Sequence, residues 1–445
     1  MFENRVCKMF FPGSIIRITA VIFLFILCFA SVHAENWHNW RGPNYNGSAE
    51  ARNLPVEFDK TRNVAWVTPM PGASAATPII WEDHVFVSSI DDQTQSLLAI
   101  AINRKTGDIR WQKELGIGYG EQRRHNKASP SPVTDGEHVY FLYGTGDLAC
   151  LDFDGNVLWS RNLEEKHEHF EDQFGYGSSP LLYKGKLYIQ VLQRNKPSKV
   201  NNEPKDSFLL AIDPKTGEEL WKQVRPSDAR QETLEAYSTP IPFEINGRSE
   251  IVIFGADYAT GHDPETGKEI WRWGGYNPRK IQHWRIVPSP VTGAGKIYVA
   301  APKGEPLFAL PGGREGNLAF EDFVWQLENN TPDVCVPLFY NDKLYVFDGD
   351  RYVLTALNPE NGEVIWRGEP GGRVVYRSSP TGGDGKIYLM NEQGMVVVVQ
   401  ADGTEYRELY RFTYDEGPCR SSIAISDNQL FIRTAQNLYC IQQQD

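Results

Sequence analysis

Basic charge is what this chain has too little of. Its 445 residues carry 45 Lys and Arg against 57 Asp and Glu, a formal net charge of −12. Phosphate backbones need a basic footprint, so no nucleic-acid partner is expected. The chain also lacks a Gly-x-x-x-x-Gly-Lys-Ser/Thr loop, a Gly-x-Gly-x-x-Gly between strand and helix, and zinc-finger spacing. Phosphate-cradling and finger chemistry are thereby removed. No segment keeps a sustained helical period, which leaves an all-β class.

Long apolar runs are missing too. The longest, 18–30, falls short of the roughly 20 residues that a membrane span needs and follows the basic residues Arg5, Lys8 and Arg17. Val32 and Ala34 are small residues at −3 and −1, so 1–34 reads as an export signal cleaved after Ala34. Cys28 follows Leu27 where a lipoprotein signal takes a small residue, so lipidation is not expected. The cleaved chain would carry a net charge of −14, keep no membrane anchor, and lie in the periplasm or outside the cell as a monomer. Cysteine is scarce: Cys150, Cys335, Cys419 and Cys440 remain, and four thiols allow three pairings. Cys150 and Cys440 share the repeat position of Ala211, where a free buried thiol fits.

What is present is repetition. Ala101-Ile-Asn-Arg-Lys-Thr-Gly107-Asp-Ile-Arg-Trp111 returns as 211–221, 261–271 and 356–366, each ending in Trp. Asn or Asp with Gly four residues later reads as a tight hairpin, the Gly taking positive φ. A second repeat sets an aromatic eight residues after an opening Pro or Ile, as in Pro78–Phe86, Pro180–Tyr188, Pro337–Tyr345 and Ile423–Phe431. Together they describe a four-stranded antiparallel unit, one propeller blade. The outer aromatics are Trp66, Trp111, Trp159, Trp221, Trp271, Trp325, Trp366 and Tyr410, spaced 41 to 62 residues apart. The opening residues also number eight, from Pro78 to Ile423. The last unit stops after three strands, and the strand 63–67 has no unit of its own. Pairing the two closes a ring and hides both edges. We therefore expect an eight-bladed β-propeller over 63–445 with tryptophan docking and an N-terminal closing strand. Residues 35–62 would be an extension packed on it. Seven blades is the competing count; paired β-sandwiches would not demand one Trp per unit.

The phrase Ala-x-Asp-x-x-Thr-Gly-x-x-x-Trp resembles the docking repeat of the PQQ-like (pyrroloquinoline quinone) propellers, from about 37 to 441. That superfamily includes quinoprotein alcohol dehydrogenases and BamB, the propeller of the outer-membrane assembly machinery. The start Trp37-His-Asn-Trp40-Arg41-Gly42-Pro43 resembles exported PQQ-binding-like repeat proteins. The resemblance implies structural roles for the seven tryptophans and says little about activity. Quinoprotein dehydrogenases carry a vicinal Cys-Cys disulfide, Ca²⁺ ligands and an Asp base. Here there is no Cys-Cys pair and no Cys-x-x-Cys-His haem site.

Residues just ahead of each opening residue should face the channel mouth. Among them are Arg124, His125 and Lys127; Phe174; Glu235; and His283. The candidate ligand site is Arg285, Arg377 and Arg420 with Tyr176, Tyr237, Trp284 and Tyr376 as flat walls and Asp333 beside them. Guanidinium groups beside rings would suit a planar anion or a sugar-like ligand. The alternative is that Asp333 and Glu235 neutralise the arginines and plug the channel. His167 and His169 in an acidic connector draw attention as metal ligands, but a solvated acidic loop is the expected reading and no metal site is expected. The connector 193–207 reads as a mobile polar loop. The leading functional expectation is a binding or scaffold module without catalysis. The alternatives are a PQQ and Ca²⁺ oxidoreductase and a BamB-like assembly factor.

Overall fold

The computed structural model describes Met1 and residues 35–118 and 126–444. The expected export signal, with Arg124 and His125, lies outside the described residues. Among them no helix is long and apolar enough to cross a membrane.

Eight antiparallel sheets follow one another around a closed ring. Blade one is typical, with strands Ile79–Trp81, His84–Ile90, Ser96–Asn103 and Ile109–Ile117 running from the axis outward. Its middle strands are almost wholly buried because neighbouring blades cover both faces. They therefore read as continuous Val, Ile, Leu and Ala instead of alternating. Blade eight takes Ala424–Ser426, Gln429–Arg433 and Asn437–Gln442 from the C-terminal end and Val64–Pro69 from the N-terminal side. Trp66 lies opposite Cys440 in that antiparallel pair.

The repeat phrase shows how one blade grips the next. The indole N–H of Trp66 donates to the carbonyl of Arg104, fourth residue of the phrase in the following blade, at 2.7 Å. Trp111 reaches Phe153 at 2.8 Å, Trp159 reaches Pro214 at 2.8 Å and Trp325 reaches Pro359 at 3.0 Å, all at that position. The glycine three residues later supports the ring: Gly217 has φ +70°, and a Cβ there would sit 2.6 Å from Trp159. Trp221 packs on Gly267 in the same way, but its N–H finds no partner. The hydroxyl of Tyr188, on the same blade, takes the Pro264 carbonyl instead at 3.1 Å. Trp366 likewise leaves the carbonyl of Ala401 to Tyr345, at 2.6 Å.

Trp271 departs from the expected pattern. It stays in its own blade and donates to Glu250 at 2.6 Å, while a short strand Gly316–Asn317 pairs alongside it in parallel. Blade five has a long connector, 312–324, where the others have a tight turn. The crossing ring is Trp273, fully buried and bonded to the Phe320 carbonyl at 3.0 Å.

The four described cysteines are free and buried. Burial pushes each thiol up to about 12, so none is poised for exchange. The connector 193–207 is a hydrogen-bonded hairpin and not a loose loop: Ser198 N–H bonds Glu203 O at 2.8 Å, and Lys196 and Lys205 both clasp Glu171.

Replacing Trp66, 7 % exposed, with Ala should cost about 3–5 kcal/mol in equilibrium denaturation. Phe in its place should cost less, about 1–3 kcal/mol, because it strands the Arg104 carbonyl and gives up part of the packing on Gly107. A second test concerns Glu416, which takes Lys60 of the N-terminal segment at 2.8 Å and bonds Thr434, Asn437 and Tyr439. Burial raises its carboxyl, but these partners outweigh burial and hold it at about 2. Its stabilisation is present above the unfolded carboxylate range, about pH 4.3, and is lost as pH falls toward 2. Glu416→Gln should therefore flatten the stability profile between those values.

Candidate functional site

An extended chain alternates its side chains, and this parity decides what faces the axis. A central chamber of about 390 Å³ is lined by the residue three before the opening residue of every blade. These are Ala75, Ser129, Gly177 and Tyr237 in blades one to four, then Val287, Val334, Arg377 and Arg420. The residue one before contributes in six blades, and Arg285 and Val375 reach in from five before. None comes from an even offset except Phe174, which precedes the positive-φ bend at Gly175.

Parity corrects half of the sequence-derived site. Tyr176 and Tyr376, four before their opening residues, turn back into the blades and bond Gln190 O at 2.8 Å and Gly371 O at 3.0 Å. Trp284, six before, is buried in the core between blades four and five. Asp333 lies behind the lining, accepting from Lys303 N at 3.0 Å. Arg285, Arg377, Arg420 and Tyr237 do line the chamber, together with Phe174 and Trp40. Trp40 and Phe174 supply the flat walls expected of Tyr176, Trp284 and Tyr376. Lys127 is buried and bonds Gly144 O at 3.2 Å.

The three arginines are already paired. Asp350 receives Arg377 through both terminal nitrogens, at 2.7 and 3.0 Å. Glu392 receives Arg420 Nε at 2.6 Å. Both carboxylates stand two residues past the second strand of the preceding blade, so the repeat places the pairs equivalently. Arg285 sits more loosely, 3.6 Å from Glu232 and 3.5 Å from Asp333, over the ring of Phe174, with Nη1 buried and unpartnered. Glu235 does not neutralise them. It pairs with Arg194, accepts from Tyr237 at 2.6 Å, and is raised by burial. A chamber remains despite the pairing.

One end of the chamber is closed. The segment 37–49 crosses the axis, bonding Ile80 of blade one, Thr134 of blade two, Leu182 of blade three, Phe339 of blade six and Gly382 of blade seven. Trp40 forms the floor, and Arg41 beneath it binds the carbonyls of Pro337 and Pro380, each at 3.1 Å. Burial lowers that guanidinium to about 9. Gly47 leaves room for it, since a Cβ there would collide with Arg41 Nη2.

A hydroxyl belt went unnoticed in the sequence. In six blades the residue before the opening Pro or Ile accepts, through its hydroxyl, the N–H of the equivalent residue one blade earlier. The bonds run Thr77 to Ser131, Ser131 to Ser179, Ser179 to Thr239 and Thr239 to Ser289, then Val336 to Ser379 and Ser379 to Ser422, at 2.7–3.2 Å. Val336 has no hydroxyl and that of Thr77 is unpartnered, so the belt breaks at both. Its signal was readable: six of seven opening prolines follow Ser or Thr.

His167 and His169 do not converge. His167 is bonded to Glu219 at 2.5 Å and His169 to Glu164 at 3.0 Å. Among the described residues no three His, Cys, Asp or Glu side chains form a group able to hold a metal ion.

A closed eight-bladed propeller with a strapped floor and one axial chamber is the class of protein these features define. The family profile described as outer membrane protein assembly factor BamB matches residues 48–195, 100–323 and 263–445, and the chain belongs to this PQQ-repeat family. Quinohemoprotein alcohol dehydrogenase ADH-IIG of Pseudomonas putida is 26% identical over 384 residues, 80% of this chain and 44% of that protein. BamB of Moranella endobia is 28% identical over 156 residues, 34% of this chain and 31% of that protein. The chain thus spans less than half the length of these relatives. The crystal structure of BamB from Moraxella catarrhalis superposes with a TM-score of 0.58 at 14% identity, covering 85% of this chain and 99% of that one. At that identity the likeness is one of fold.

Removing one belt hydroxyl strands a buried N–H. Ser179→Ala, which orphans Ser131 N, should lower stability by about 1–3 kcal/mol in urea titration. Ser129→Ala, outside the belt, should cost less.

Proposed function

We propose that this protein is an exported binding module that holds a small ligand in the axial chamber and performs no chemistry on it. The carrying observation is the make-up of the lining. Among the described residues no His, Cys, Lys or Asp is in it, and its single carboxylate, Glu392, is held by Arg420. General-base or nucleophilic catalysis needs a group free to take a proton or attack. A Ca²⁺-bound quinone does not fit this donor set either, because Ca²⁺ takes six to eight oxygens, carboxylates among them, and the chamber presents one paired carboxylate. The four separate buried thiols supply no vicinal disulfide.

A second reading is contact with a protein of an envelope assembly machine. It is favoured by the family's description and by exposed apolar residues on the outer strands of consecutive blades: Ile109 and Ile117, Val157 and Leu158, Leu220 and Val224. Patches of this kind mark contact surfaces.

Titration of the purified protein with PQQ and Ca²⁺, followed by dye-linked oxidation of alcohols and sugars, separates these readings from an oxidoreductase. No turnover above the protein-free control is expected. Saturable quinone binding with turnover would overturn the proposal. Recovery of barrel-assembly components by the parent chain, lost on Leu158→Asp with Val224→Asp, would promote the second reading.

A further inference from the structure

The chamber's polar groups narrow the chemistry of its ligand, an inference that rests on the binding-module reading. An anion would be drawn in by uncompensated positive charge. Here three guanidinium groups, Arg285, Arg377 and Arg420, face four carboxylates, Glu232, Asp333, Asp350 and Glu392. An entering carboxylate or phosphate would have to displace one of these, exchanging one charge-assisted pair for another while losing its own hydration. The net gain of such an exchange is small.

What is left uncommitted is of a different kind. Ser131, Ser179, Thr239, Ser379 and Ser422 line the chamber, and each hydroxyl oxygen is occupied by an N–H from the preceding blade. The hydroxyl protons donate to no protein acceptor among the described residues, so they are available to the chamber. Arg285 Nη1 is a further buried donor without a partner, on a side chain 5 % exposed. Glu392 bonds through one oxygen and keeps the other as an acceptor. Phe174, Tyr237 and Trp40 contribute aromatic carbon to the lining. Donors and an acceptor around a wall of aromatic carbon match a molecule whose groups both donate and accept and whose C–H faces are apolar.

We propose that the chamber binds a neutral polyhydroxylated ligand, a sugar or the terminal sugar residue of a chain, entering from the open mouth and resting on Trp40. The floor is closed by the segment 37–49, so a chain cannot thread through, and only an end or a free sugar is admitted. About 390 Å³ accommodates one or two sugar rings.

Calorimetric titration with glucose, galactose, mannose and their disaccharides, set against the matching uronates and PQQ, tests this. At least one neutral sugar should bind at least tenfold more tightly than its uronate and than PQQ. Val375→Trp, which fills the mouth without touching the hydroxyl belt, should abolish that binding while leaving the thermal unfolding midpoint close to that of the parent. Arg285→Met should weaken it at least tenfold. Tighter binding of a uronate or of PQQ, blocked by Val375→Trp, would overturn the neutral-sugar assignment and leave the binding-module reading standing. Sugar binding that survives Val375→Trp would place the site elsewhere and overturn it too. No binding by any of these probes would overturn both.

Discussion

The ring depends on one carbonyl per blade. In six blades the fourth residue of the repeat phrase offers its C=O to an aromatic hydrogen-bond donor of the preceding blade, the tight turn placing that oxygen at the outer corner. At blade eight Tyr388 of blade seven bonds the Pro55 carbonyl of the N-terminal segment instead. A Trp indole takes it from Trp66, Trp111, Trp159 and Trp325; a Tyr hydroxyl takes it from Tyr188 and Tyr345. At these six junctions either aromatic of the unit suffices to take the acceptor. Where the turn is replaced by the connector 312–324, the carbonyl moves to Phe320 and the donor to Trp273. The acceptor's position, more than the identity of the donor, governs the docking.

A second set of inter-blade bonds operates near the axis. The hydroxyl belt ties the blades together where their strands converge and space is smallest, so Ser and Thr fit where larger side chains would fill the channel. Outer aromatics and inner hydroxyls hold most wedges at both ends. The segment 37–49 adds a third constraint by bonding five blades across the floor. This rigidity gives the chamber a fixed shape before any ligand arrives, which lowers the entropy lost on binding.

Charge compensation at the mouth shapes the functional reading. Arginines met in a sequence suggest an anion site, yet Asp350 and Glu392 recur at one blade position and meet Arg377 and Arg420. Such pairs shape a pocket and orient polar groups without attracting net charge. The lining that results mixes apolar side chains with hydroxyls and paired charges, is closed at one end, and is poor in groups that could transfer a proton.

The amino-acid sequence by itself determined the propeller, its count of eight and its closure by the strand bearing Trp66. Those features are local and repetitive: a Gly that must take positive φ, a Trp at a constant distance, and two incomplete ends that need each other. It also indicated which short segments approach the axis. Only the tertiary structure decided which side chains there face inward. A shift of one residue along an extended chain reverses the side, so Arg377 lines the chamber while the adjacent Tyr376 is buried in the blade. Partners from other blades decided the rest. Asp350 lies 27 residues from Arg377, and Trp40 reaches the floor from a segment with no place in the repeat. Spacing along one chain carries no record of such encounters, which arise from closing the ring.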